Sequence, residues 1–168
     1  MRTITLIIVH CTANRAGSAL RMADIARHHR SLGWADCGYH YVIPTDGSLE
    51  RGRPEELAGA HCQHHNLHSI GVAYVGGLAT DGRTPSDTRT EAQKETLMRL
   101  LRDLHGRYPK ALIVGHSELN PSKPYCPGFD MAAYRRCLGE ILLALPGVKE
   151  TRTYAVMEEV KSDGMLPV

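Results

Sequence analysis

The sequence predicts an α/β fold with a single domain, in which a central mixed β-sheet is flanked by helices. Short apolar segments rich in β-branched residues alternate along the chain with amphipathic helical stretches. One predicted hairpin interrupts this alternation, so the sheet is expected to be mixed rather than wholly parallel. The chain has 168 residues, which suits one domain with a substantial core.

The predicted strands are short apolar segments, most of them bounded by turn residues. They are residues 3–9, 39–43, 48–51, 69–75 and 111–114. The first strand runs directly into His10, and the last leads through a glycine into His116. Residues 45–47, with the sequence Thr-Asp-Gly, form a turn that returns the chain as a hairpin.

The predicted helices have apolar stripes at helical spacing and recognisable ends. They are residues 20–32, 90–106 and 130–145. Gly33 and Gly106 are read as the ends of the first two helices. Thr90 and Gln93 form a capping box at the start of the second helix, and Asp130 is the predicted N-cap of the third.

The net charge and the sequences near the two termini limit the classes of protein that this chain can represent. The net charge of +2 implies no strong electrostatic field, so we expect neither nucleic acid binding nor membrane insertion. The apolar N-terminal run reads as a buried strand rather than a signal peptide, which predicts synthesis in the cytoplasm. We expect a monomer, with the folded domain over residues 1–147 and a loosely held tail over 148–168.

The cysteines and histidines point towards metal chemistry rather than disulfides. Five cysteines are an odd number without a tight pairing pattern, so reduced thiols or metal ligands are expected. Ten histidines are many for a chain with one tryptophan and one phenylalanine. The pair His28–His29 is read as a partly solvated helix face, and Cys11 as a core thiol on the opposite strand face from His10.

His10, His116 and Cys126 form a candidate metal site. Each histidine follows a strand, and ligands of open α/β sheets bind beyond the carboxyl ends of strands. Cys126 precedes a predicted helix, whose N-terminus favours the thiolate that binds metal. Two imidazoles and a thiolate suit tetrahedral zinc with one position left for water. The spacing alone also allows two satisfied polar histidines and a small buried cysteine.

At these residues the sequence resembles the type 2 N-acetylmuramoyl-L-alanine amidases, a family that includes phage lysozymes of amidase specificity and animal peptidoglycan recognition proteins. The matching motifs are residues 8–12 (IVHCT), 38–41 (GYHY), 114–118 (VGHSE) and 126–130 (CPGFD). Further matches are residues 58–61 (AGAH), Asn66, 69–71 (SIG) and 75–77 (VGG). The resemblance covers residues 3 to 144 in the family's order, and it implies the family's α/β fold.

The resemblance also implies roles for individual residues. His10, His116 and Cys126 correspond to the ligands of one catalytic zinc ion, and Tyr39 corresponds to the family's catalytic tyrosine. The phage enzymes carry a lysine two residues before the ligand cysteine, where this chain has Pro124. The nearest lysine is Lys123, which we assign to that role.

The implied substrate is bacterial peptidoglycan, cut at the amide between the lactyl group of N-acetylmuramic acid and L-alanine. His61 and Asn66 are expected to contact this substrate. Without an export signal the enzyme is expected to reach the wall after release from the cytoplasm, as a phage, prophage or mobile-element hydrolase does.

The sequence alone also allows other interpretations of the function and of the histidine-rich loop. The first is a module that recognises peptidoglycan without cutting it, although such members typically lack the ligand cysteine that Cys126 provides. The second, suggested by one phage branch, is regulation of a phage RNA polymerase. A generic zinc peptidase is disfavoured because the chain has no HExxH motif. A second metal site at His61, His64, His65 and His68 is less favoured than a solvated loop.

Overall fold

The computed structural model describes residues 2–143. The chain divides into two compact units, Met1–Phe129 and Asp130–Val168. The predicted tail at 148–168 lies outside the described residues, and the domain limits of 1–147 stay a prediction.

The first unit contains every strand that is described. These are β1 (Leu6–Cys11), β2 (Asn14–Arg15), β3 (Tyr41–Ile43), β4 (Glu50–Arg51), β5 (Ser69–Tyr74), β6 (Gly77–Leu78) and β7 (Leu112–Gly115). The helices of this unit are α1 (Met22–Ser31), α2 (Glu91–Arg107) and α3 (His116–Leu119), with a 3-10 turn at Asn66–His68. The second unit contributes α4 (Met131–Leu143).

The main sheet has five strands in the order β4-β3-β5-β1-β7. Strand β1 is central and runs parallel to both β5 and β7, while β3 is parallel to β5 and antiparallel to β4. A mixed sheet with helices packed beside it confirms the predicted fold class. Strands β2 and β6 form a separate two-stranded sheet that the sequence did not predict, because each is only two residues long.

The core is built on the central strand. Ile7, Ile8 and Val9 are fully buried, as expected for a parallel strand covered on both faces. Helix α1 contributes Ile25 and Ala26 to a cluster with residues of the loop before β3 and of the sheet. This burial of apolar surface supplies the main favourable free energy of folding and fixes the strand register.

Gln93, a residue of the N-terminal capping box of helix α2, also bonds the helix to the sheet. The capping box is confirmed: the Thr90 hydroxyl accepts the Gln93 N–H at 3.1 Å, and the Gln93 amide oxygen accepts the Thr90 N–H at 3.0 Å. The Gln93 amide nitrogen also donates to the carbonyls of Ile43 and Val75, both at 3.0 Å. The helix continues one residue beyond Gly106 and ends before Pro109, which disfavours helical geometry in the preceding residue.

Helix α4 begins where the sequence predicted. The Asp130 carboxylate accepts the backbone N–H groups of Ala132 and Ala133 at 2.8 and 3.1 Å, which is the geometry of an N-cap. In the described part of the chain no helix has the length and apolar character that a membrane span requires.

His40 is a buried structural histidine next to β3. Its Nδ1 accepts the Gly71 N–H at 2.9 Å, so the proton of the neutral ring lies on Nε2. This nitrogen lies 3.1 Å from the Leu57 carbonyl and 3.0 Å from Nη2 of Arg2. Burial, with a smaller contribution from the nearby Arg2 guanidinium, lowers the pKa of His40 to about 4, although the hydrogen bond to the Leu57 carbonyl acts in the opposite direction. The ring is therefore neutral in the folded protein near neutral pH.

We expect His40 to weaken the fold as the pH falls. The unfolded chain protonates this imidazole at its ordinary pKa near 6.5, whereas the folded chain resists protonation until about pH 4. The free energy of unfolding should therefore drop between these two values by up to about 3 kcal/mol. His40→Asn keeps an acceptor oxygen for the Gly71 N–H but does not titrate. Urea unfolding at pH 7, 5 and 4 should show a shallower decline for this variant, and parallel declines would contradict the assignment.

Candidate metal centre and active site

His10 and His116 meet because their strands are neighbours. His10 lies near the end of β1, and His116 is the first residue after β7. The register pairs Val9 with Gly115, so both histidines lie one residue beyond this pair at the carboxyl edge of the sheet. Their ring centroids are 4.4 Å apart.

Cys126 completes the group from a loop that is fixed by backbone hydrogen bonds. Its carbonyl accepts the Ser117 N–H at 2.8 Å, and its own N–H donates to the Lys123 carbonyl at 3.1 Å. The Cys126 Sγ lies 3.9 Å from His10 Nδ1 and accepts the Cys11 N–H at 3.4 Å. The neighbouring Cys11 thiol and burial together raise the pKa of the Cys126 thiol, although the hydrogen bond from the Cys11 N–H acts in the opposite direction. A bound metal ion would supply the positive charge that the thiolate needs.

The three residues fit a metal ion. One ligand atom from each of His10, His116 and Cys126 lies within 4.8 Å of the others, and no other such group occurs among residues 2–143. His116 Nε2 is buried and has no hydrogen-bond partner within that same range, which is costly unless an additional group pairs with it. Burial lowers the pKa of His10 well below its ordinary value and that of His116 to about 4. Both rings are therefore neutral, as metal ligation requires.

Glu118 holds the turn that presents His116. Its carboxylate accepts the Gly115 N–H at 2.6 Å, which closes the first turn of α3 around the histidine. The sequence could not predict α3, because a four-residue helix has no periodic pattern. Glu118 thus positions the backbone before the candidate ligand.

Tyr39 lies beside the candidate centre. Its ring centroid is 5.2 Å from that of His10, and burial raises the pKa of its hydroxyl. Tyr39 also lines a groove of about 460 Å³ together with Thr12 and Ala13 of the β1–β2 connection and residues of α1. Tyr39 therefore lies both in the wall of this groove and beside the candidate ligand His10.

His29 fixes the turn that carries Tyr39. The interpretation of His29 as partly solvated was wrong: the side chain is buried, while the neighbouring His28 is exposed. His29 Nδ1 accepts the Gly38 N–H at 2.9 Å, and the imidazole packs 4.5 Å from the Trp34 ring. The signal was present in the sequence, since position 29 continues the buried stripe that includes Ile25 at helical spacing.

Lys123 lies on an exposed turn between His116 and Cys126. After burial, the positive charge of Lys123 is the second contribution that lowers the pKa of His116. The backbone N–H of Lys123 donates to the Asn120 carbonyl at 2.9 Å. The side chain itself is free to reach towards solvent or towards a bound substrate, because it forms no hydrogen bond or ion pair among the described residues.

His61 and Asn66 are both near the centre but are engaged within the protein. His61 Nδ1 lies 3.0 Å from His10 Nε2. The Asn66 side-chain oxygen accepts the backbone N–H groups of His61 and Cys62 at 2.9 and 3.0 Å. The remaining histidines of this loop do not join the centre, and the rings of His65 and His68 contact each other.

Cys11 also differs from its predicted position. Its backbone donates to Cys126 Sγ, and its side chain occupies the space beside Gly77, where an added Cβ would lie 2.5 Å from the Cys11 sulfur. It therefore packs at the carboxyl edge of the sheet next to the candidate ligands. A strand position alone did not reveal this contact, because the loop that carries Cys126 is 115 residues away.

Comparison with known proteins agrees with this geometry. The profile of the family described as N-acetylmuramoyl-L-alanine amidase matches residues 1–129. An endolysin of Enterobacteria phage K11 is 38% identical over 123 residues, which cover 73% of this chain and 80% of the endolysin. A peptidoglycan-recognition protein of Drosophila melanogaster, SC2, is 31% identical over 134 residues, covering 74% and 68%.

A solved structure gives the same result for the fold. The N-acetylmuramoyl-L-alanine amidase LysC from Clostridium intestinale has a TM-score of 0.69 and 25% sequence identity. The superposed region covers 86% of this chain and 88% of LysC.

We expect Cys126→Ser to abolish stoichiometric metal binding, because a hydroxyl is a far weaker zinc ligand than a thiolate at neutral pH. The purified variant should contain less than about a tenth of the zinc of the wild type by elemental mass spectrometry. Cys137→Ser is the matched control, since Cys137 is an exposed thiol on α4. Full zinc content in Cys126→Ser would remove this cysteine from the centre.

Proposed function

The chain belongs to the N-acetylmuramoyl-L-alanine amidase family, and we propose that it is a zinc-dependent amidase of bacterial peptidoglycan. The scissile bond is the amide between the lactyl group of N-acetylmuramic acid and the L-alanine of the stem peptide. The observation that carries the proposal is the convergence of His10, His116 and Cys126, with a buried His116 nitrogen that lacks a hydrogen-bond partner among the described residues.

These three side chains would hold one zinc ion and leave a coordination position open. Three protein ligands with an open position are typical of catalytic rather than structural zinc. When bound, zinc supplies a Lewis acid for the scissile carbonyl and for the attacking water. His10 would bind through Nδ1, since this nitrogen faces Cys126 Sγ while Nε2 faces His61.

Tyr39 is proposed to stabilise the charge that develops on the carbonyl oxygen. Its hydroxyl is a hydrogen-bond donor, and its ring is held between the rings of His10 and His29 at 5.2 and 5.6 Å. A donor that is already oriented stabilises a transition state without a reorganisation cost. The position of Tyr39 on the groove wall supports the same role.

Lys123 is proposed to assist proton delivery to the leaving amine. Hydrolysis adds the oxygen of water to the carbonyl carbon, breaks the C–N bond and places a proton on the L-alanine nitrogen. Tyr39, Lys123 or a water molecule can transfer that proton. The position of Lys123 in the segment that joins His116 to Cys126, on an exposed turn, supports this role.

The groove beside Tyr39 is proposed to hold the stem peptide, and His61 and Asn66 stay predicted substrate contacts. The similarity to phage endolysins supports a phage, prophage or mobile-element origin. We propose that the monomeric protein acts on the cell wall after release from the cytoplasm.

Digestion of purified peptidoglycan tests the function directly. We expect mass spectrometry to detect free stem peptides that begin at L-alanine, with no new reducing ends on the glycan strands. A zinc chelator should prevent their release, and added zinc should restore it, because the ligand set binds a removable ion.

Two other outcomes would contradict the proposal. Reducing sugar ends would identify a glycosidase. Sedimentation of the protein with an intact wall would instead identify a module that recognises peptidoglycan without cutting it.

Tyr39→Phe should separate catalysis from metal binding. Loss of the hydroxyl removes a transition-state donor, so kcat should fall by about 100-fold or more while the zinc content is unchanged. Tyr108→Phe is the matched control, because the Tyr108 hydroxyl binds Glu55 away from the centre. A wild-type rate in Tyr39→Phe would assign proton transfer and charge stabilisation to other groups, with Lys123 the first to test.

A further inference from the structure

His61 contacts the back of the candidate ligand His10. Its Nδ1 lies 3.0 Å from His10 Nε2, and the two rings meet edge to face with centroids 5.0 Å apart. We propose that His61 is a positioning residue, which fixes the tautomer and ring orientation of His10 for metal binding. This inference rests on the proposed function, because it takes His10 as a ligand of the zinc centre.

The hydrogen-bond partners define one consistent arrangement of protons. If His10 binds metal through Nδ1, its Nε2 carries the proton and donates it to His61 Nδ1. His61 must then carry its own proton on Nε2, which lies 3.3 Å from the hydroxyl of the buried Ser69. With metal on His10 Nδ1, His61 thus supplies the acceptor for the proton on His10 Nε2, and the Ser69 hydroxyl can accept the proton on His61 Nε2.

The ring of His61 is closely packed on one side. It packs against two glycines: a Cβ built on Gly71 would lie 2.5 Å from the ring, and one built on Gly59 would lie 2.3 Å from it. Any side chain at either position would displace the imidazole. The backbone of His61 is fixed as well, because the Asn66 side chain accepts its N–H at 2.9 Å.

This packing explains why a histidine is suited to the position. Metal-bound histidines usually donate their second N–H to a carboxylate, a carbonyl or water. A carboxylate next to a zinc centre with one thiolate would add negative charge, whereas a neutral imidazole supplies an acceptor without a charge. Because both ring nitrogens are already paired, a direct substrate contact through them would have to break one of these hydrogen bonds.

The test is the affinity of the full-length protein for zinc, measured by competition with a chromophoric chelator. Loss of such a supporting contact typically weakens metal affinity by about 10- to 100-fold, and we expect that loss in His61→Ala. In His61→Asn the side-chain oxygen occupies the place of Nδ1 and still accepts from His10. This variant should bind zinc within about threefold of the wild type, which a purely volume-filling role does not predict.

Cobalt substitution gives a second readout that does not depend on catalysis. The visible spectrum of the Co²⁺ protein should change in His61→Ala, because the ligand His10 is no longer held, and should return towards that of the wild type in His61→Asn. His68→Ala is the matched control, since the His68 ring contacts His65 in the same loop. Circular dichroism establishes that each variant is folded.

The possible outcomes separate this inference from the proposed function. A wild-type protein that binds no zinc would overturn both. Wild-type zinc affinity and an unchanged cobalt spectrum in a folded His61→Ala would overturn the positioning role alone. Equal weakening in His61→Ala and His61→Asn would also overturn it, because the acceptor would then be irrelevant.

Discussion

The parallel pairing of β1 with β5 on one side and β7 on the other is the constraint on which the candidate centre depends. Val9 lies opposite Gly115, so His10 and His116 leave the sheet at the same level. A shift of one residue would turn the side chain of His10 to the opposite face. The burial of Ile7 and Ile8 prevents such a shift, since it would move these residues out of the core positions that they fill. Apolar packing therefore determines where the candidate metal ligands meet.

Around this centre, neutral imidazoles hold the backbone in place. His29 accepts the Gly38 N–H, and His40 accepts the Gly71 N–H, each at 2.9 Å. In each case burial lowers the pKa, so the ring stays uncharged and keeps its acceptor nitrogen. The first fixes the turn before Tyr39, and the second fixes the strand on which the His61 ring packs. The histidines of this chain thus include structural acceptors as well as candidate metal ligands.

The sequence predicted the helices and strands that have periodic patterns, and it predicted the candidate site residues that belong to recognisable motifs. The central strands, the capping box at Thr90 and the N-cap at Asp130 were all predictable from local signals. The two-residue strands were not, because their pairing joins residues distant in the sequence, and the helix after His116 was not, because four residues have no periodic pattern. The contact between His61 and His10 joins residues 51 positions apart, and no spacing rule predicts it.

The contacts that hold each side chain distinguish the two candidate proton donors, Tyr39 and Lys123. Tyr39 is held by aromatic contacts with His10 and His29, in a turn that is itself bonded to α1. Lys123 lies on an exposed turn, and a lysine side chain there loses considerable rotamer freedom when it engages a substrate. A fixed donor contributes more to transition-state stabilisation than one that must first be ordered. In the proposed mechanism this difference favours Tyr39 for charge stabilisation and Lys123 for the later step, in which the leaving amine would receive a proton near solvent. A lysine one residue further from the ligand cysteine than in the phage enzymes is compatible with that role, since proton transfer through a water molecule tolerates a longer reach.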